Sequence, residues 1–141
     1  MAVLIISALS TWAMVGLIWV MQIVHYPMLG EFSQHFPAVA FEQHQRLITP
    51  LVGPPMALEG VTALILLVSR PGTMSALSAW VAATLLGVAL LSTIVLQVPI
   101  HAKLVERHDP QLVEQLVATN WIRTVAWTAR GGLLAAVLIT P

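Results

Sequence analysis

The chain has 141 residues, 58% of them hydrophobic and only 9% charged, and its six basic and six acidic side chains cancel. A soluble domain carries about 25% charged residues, so composition excludes an ordinary soluble fold, and the lack of a polybasic run excludes a nucleic-acid partner. There is no cysteine, which removes disulfides, iron–sulfur clusters and thiol catalysis and leaves histidine, carboxylate and amide groups as the only metal donors.

The first apolar run, Val3 to Val24, is long enough to cross a bilayer. No basic residue precedes it, it exceeds a signal-peptide core and it lacks a small-residue cleavage site, so it is expected to be retained as a span. Trp12 and Trp19 are expected to pack or to face lipid. The run ends in "WVMQIVHYPML", where Gln22 stands three residues before His25 and Pro27 follows.

After Pro37, "AVAFEQHQRL" alternates apolar and polar residues at helical spacing, which predicts a helix running into a second span, roughly Leu51 to Val68. Pro50, Pro54 and Pro55 should kink that helix or mark its true start. A short turn, "VSRPGTMS", leads to a third span, Ala76 to Val98, which ends in "IVLQVPIHAKL" with Gln97 four residues before His101. "HDPQLVEQL" then supplies Asp109 as N-cap and Pro110 at the first helical position, and the fourth span runs from roughly Leu116 to Ile139. Gly131 and Gly132 in it should let a neighbour approach closely.

Residues 1–141 therefore read as one all-α domain, an integral membrane four-helix bundle of up-down-up-down topology. The likeness of "WVMQIVHYPML" to "IVLQVPIHAKL", each followed by Glu-Gln ahead of the next span, raises the prospect of two related hairpins. The two longer connections, 25–50 and 99–115, share one membrane face. That face carries Arg46, Lys103 and Arg107 against Arg70 on the other, so it is expected to be cytoplasmic, the termini external and the setting a bacterial inner membrane.

All five histidines, His25, His35, His44, His101 and His108, fall on that same face. His35 and His108 sit in polar connections and need no role. His25 and His101 each end a span with a glutamine one turn back, a spacing that lets the Gln22 and Gln97 amides orient an imidazole or share its ligand. With His44 as a third donor, they form a candidate site for a transition metal, iron, copper or zinc.

Three ionisable residues lie inside spans, where their cost makes them candidates by default. Glu59 and Arg130 fall at similar depth and are expected to pair across neighbouring antiparallel helices, with Glu59 alternatively a deep metal ligand or proton acceptor. Asn120, Arg123, Trp127 and Arg130 recur at i, i+3, i+7 and i+10, a polar stripe that should face the bundle interior. Arg123 is placed to hold a carboxylate, phenolate or propionate.

The segment "VPIHAKL", an acidic loop and then "LVATNWIRTVAWTARG" resemble the C-terminal half of the small four-span membrane proteins that include anthrone oxygenases, where a P-polar-x-x-L turn precedes a Trp and an Arg-Thr pair. The resemblance covers about a third of the chain, with His101 where asparagine is usual. It implies a four-helix membrane bundle and, in some members, oxidation of an aromatic or polyketide-like substrate, and it carries over to Arg123 and His101.

The expectation is thus a membrane oxidoreductase acting on a small lipophilic or aromatic substrate. His25, His44 and His101 would bind metal, Gln22, Gln97, Asn120 and Arg130 would support the cofactor, and Glu59 and Arg123 would serve catalysis. Two alternatives stand beside it. One is a haem-binding electron-transfer subunit with His25 and His101 as axial ligands. The other is a non-catalytic assembly or transport subunit, as a homo-oligomer or within a larger membrane complex.

Overall fold

A computed structural model describes residues 1–140, which form four long helices: α1 Ala2–Phe32, α2 Pro37–Val68, α3 Ala76–Glu106 and α4 Pro110–Ile139. All four are long and apolar enough to cross a membrane. The up-down-up-down bundle is as expected, with α1 and α3 each packed on both α2 and α4, so that α1 faces α3, and α2 faces α4, only across the diagonal.

The helices outrun their apolar segments. At 1.5 Å per residue the 31 residues of α3 reach about 46 Å, well beyond a hydrocarbon core of about 30 Å. The connections expected to be long therefore shrink to residues 33–36 and 107–109, because their polar sequence is helical. The excess length projects at the histidine end.

Local signals account for the ends. Asp109 accepts from the N–H groups of Gln111 and Leu112 at 3.0 and 3.4 Å, with Pro110 next in line. Ser75 caps α3 by accepting from the Ser78 N–H at 3.0 Å. Pro37 opens α2, which continues through Pro50, Pro54 and Pro55, so none of the three marks its start.

Pro27 and Pro99 are accommodated differently. Each follows a single π-helical turn, Met21–His25 in α1 and Thr93–Gln97 in α3. The ring of a helical proline clashes with the carbonyl four residues back, and here the turn before it widens. The Tyr26 N–H reaches back five residues to the Met21 carbonyl, and the Val98 N–H to that of Thr93. The sequence echo thus has a structural counterpart at matching places on two diagonal helices.

The outside of the bundle is apolar, with Leu9, Leu64, Leu77, Leu91 and Ile94 exposed, while Ser7, Thr11, Gln22, Glu59, Asn120, Thr124 and Arg130 are buried. In hydrocarbon, polar side chains can be satisfied only against one another. Two apolar clusters bracket this interior. One, around Leu4, Leu66, Met74 and Leu134, closes the turn end, and the other, around Ile18, Phe41, Leu104 and Trp127, supports the histidine end. Close approach of α1 to α4 depends on two glycines, since a Cβ on Gly30 would lie 2.6 Å from Val113 Cγ1 and one on Gly131 would lie 3.3 Å from Val15 Cγ2. Gly132 faces open space instead.

Candidate functional site

His25 lies about 35 Å, His44 about 36 Å and His101 about 37 Å from the turn-face ends of their helices, by residue count. Three different helices thus bring one imidazole each to the same level. His44 is central, with ring centroids 4.8 Å from His25 and 5.1 Å from His101, the latter nearly parallel at 18°. Tyr26 presents its ring 5.9 Å from His44 and 5.7 Å from His101, and Phe41 meets His101 edge-on.

The three imidazoles converge, but not as a ligand set. His25 Nε2 and His44 Nδ1 share a hydrogen bond of 2.9 Å, so the nitrogens that face each other are occupied by one proton between them. Among the described residues no three His, Asp or Glu side chains are disposed to hold a metal ion. His101 Nδ1 donates to the main-chain carbonyl of Gln97 at 2.8 Å. A carbonyl can only accept, which puts the proton on Nδ1 and leaves the lone pair on Nε2. That Nε2 is buried and has no partner.

The glutamine amides do not orient the histidines. Gln22 donates to the Val117 carbonyl at 3.1 Å and accepts from Asn120 Nδ2 at 2.8 Å, while Gln97 donates to Thr119 Oγ1 at 2.9 Å. Both amides turn inward from the π turns to α4, which satisfies both ends of Gln22 but takes only the N–H of Gln97. Each diagonal helix is pinned to the same partner.

Arg123 forms the floor. It is 7% exposed, its guanidinium stands 5.5 Å from the centre of the Trp127 ring and beside the Tyr26 hydroxyl, and its Nε has no partner. No carboxylate pairs with it among the described residues. Gln97 Oε1 and Asn120 Oδ1 are likewise buried and unpartnered. Most buried polar atoms in folded proteins are hydrogen-bonded, and three of these orphans, on Gln97, His101 and Arg123, belong to residues that line one cavity, which marks where another molecule belongs.

A cavity of about 170 Å³ occupies that place. Its polar lining includes Tyr26, His44, Gln97, His101 and Arg123, with Gln45, Thr49 and Thr93, and its apolar lining includes Leu17, Ile18, Ile48 and Val52. Thr49 and Val98, on α2 and α3, line it and are exposed on the outer surface, so its mouth opens sideways between these helices. Sequence reasoning does not single out Tyr26. Its signal was its place as the only tyrosine, next to His25.

Glu59 and Arg130 pair as expected, at 3.4 Å and only 0% and 1% exposed, but not across neighbouring antiparallel helices. They project from α2 and α4, which run parallel on the diagonal, and meet at the bundle centre about 14 Å from the turn-face ends. Both are fully engaged. Glu59 accepts from Thr11 and from Trp127 Nε1, and Arg130 donates to Thr11, Ser7 and the Ala82 carbonyl. Neither lines the cavity, from which the Trp127 ring separates them. His108 is bound to Ser33 at 3.0 Å and His35 packs on Phe36, both away from the cluster. No family model, curated protein or solved structure matches the chain.

Proposed function

We propose that the chain is a membrane-embedded oxidoreductase that takes a small lipophilic substrate from the bilayer through the mouth between α2 and α3 and deprotonates it at His101. The observation that carries this is the unpartnered Nε2 of His101, a neutral base held by the Gln97 carbonyl, on a ring that lines a cavity with apolar as well as polar walls. A carbon acid such as an anthrone loses its proton to Nε2, and Arg123 stabilises the charge left on the oxygen. The electron pair then goes to dioxygen, and the ring methylene becomes a carbonyl with release of water.

The resemblance of "VPIHAKL" and "LVATNWIRTVAWTARG" to the anthrone oxygenases supports the same chemistry. The test is anthrone oxidation in vesicles carrying the chain. His101→Gln should lower the rate above the protein-free background by about a hundredfold. Equal rates with and without the protein would sink the proposal.

The convergence of three imidazoles favours a second possibility, a transition metal on His25, His44 and His101. Such a metal would supply oxygen activation, but the donors do not fit it as they stand, because the His25–His44 hydrogen bond would have to be given up. One equivalent of iron, copper or zinc in protein purified without chelators, lost in His44→Ala, would establish it over the first. Haem between His25 and His101 fits less well, since the His44 ring packs against both.

A further inference from the structure

Among the described residues the Arg123 guanidinium has no counter-charge. The titratable and charged groups facing it are Tyr26 on α1, His44 on α2 and His101 on α3, and none is a carboxylate. A cation nine-tenths buried without an anion is costly in a medium that solvates charge poorly. The other buried charges among the described residues, Arg130 and Glu59, are paired with each other.

We infer that the cavity binds a lipophilic monocarboxylate as its anion, with Arg123 as counter-ion. A carboxylate takes two parallel donors from one edge of a guanidinium, and the unpartnered Nε belongs to such an edge. The shape of the site selects the rest of the ligand. The apolar lining includes Leu17, Ile18, Ile48 and Val52, which suit a ring or short chain, and no other lining residue carries a fixed charge to meet a second one. The lateral mouth leaves space for a longer tail to remain in the bilayer. Such an acid occupies the cavity as a substrate or as an inhibitor of the reaction proposed above.

The inference rests on that proposal for the role of the cavity, and it is tested by binding, without turnover. Purified protein in detergent is titrated with benzoate, with benzamide as the uncharged isostere and with chloride as a bare anion, and binding is read by calorimetry and by the shift in melting temperature. Benzoate is expected to bind and to raise the melting temperature, and benzamide and chloride to do neither at the same concentration.

Arg123→Gln should weaken benzoate by about tenfold to a hundredfold, the worth of hydrogen bonds to a charged group, while Arg123→Lys retains part of the affinity. Benzamide binding as well as benzoate, chloride producing the same shift, or an Arg123→Gln protein that is folded and binds benzoate unchanged would each overturn the inference. Anthrone oxidation by a protein that ignores benzoate overturns this inference alone. Benzoate binding by a protein that oxidises nothing overturns only the function proposed above.

Discussion

The guanidinium of Arg123 stands 5.5 Å from the centre of the Trp127 ring, and the same indole donates its N–H at 2.9 Å to Glu59 Oε2. One side chain thus joins the floor of the cavity to the ion pair at the bundle centre. Trp127→Phe keeps the ring under Arg123 but strands one oxygen of a fully buried carboxylate. Stability should fall by about 1–3 kcal/mol, with benzoate affinity changed little. Trp127→Leu removes the ring as well and should lower both, as thermal unfolding and calorimetry would reveal.

Glu59 and Arg130 form a closed network, so removing one partner leaves the other buried and uncompensated. Glu59→Leu and Arg130→Met should each cost about 3–5 kcal/mol, and the double variant should recover most of the loss. Additive losses in the double-mutant cycle would mean that the pair is not coupled. Arg123→Met is the contrast. With no carboxylate to strand, it should stay within about 1 kcal/mol of the unliganded parent.

Much of this was legible in the sequence, for a physical reason that also sets its limit. In a chain this apolar, polar side chains inside spans can only face one another, so the stripe Asn120, Arg123, Trp127 and Arg130 had to point inward, and it does. Equal depth foretold the Glu59–Arg130 pair, since each lies nine residues from the turn-face end of its helix. Which helices are neighbours depends on packing, which hydropathy does not encode, and so depth alone points to adjacent helices although the pair spans the diagonal. Hydropathy also ended the spans where the apolar residues ended, although the helices continue to Phe32 and Glu106. The π turns and the cavity were invisible, because a proline reads as a break and a void has no sequence.

Gly30 sets the spacing of α1 and α4 at the histidine end. An added Cβ would stand 2.6 Å from Val113 Cγ1, too close for any real contact, so either the helices part or the valine turns away. Gly30→Ala should destabilise by about 1–3 kcal/mol, and Val113→Ala should rescue it by opening the space. Failure of the rescue would locate the effect in the backbone of α1 rather than in this contact.

His101, His44 and His25 are ranked by their distance from the chemistry. His101 and His44 line the cavity and His25 does not; it touches His44 from the outer side and is half-buried. If His101 Nε2 is the base, His101→Gln should cost about a hundredfold in anthrone oxidation. His44→Gln should cost less, since it acts by packing on the His101 ring, and His25→Gln least, since it only donates to or accepts from His44. A metal held by all three predicts a different pattern, near-complete loss from any one replacement together with loss of the bound metal. The three rates, measured beside metal content in the same preparations, therefore separate a graded acid–base site from a coordination site.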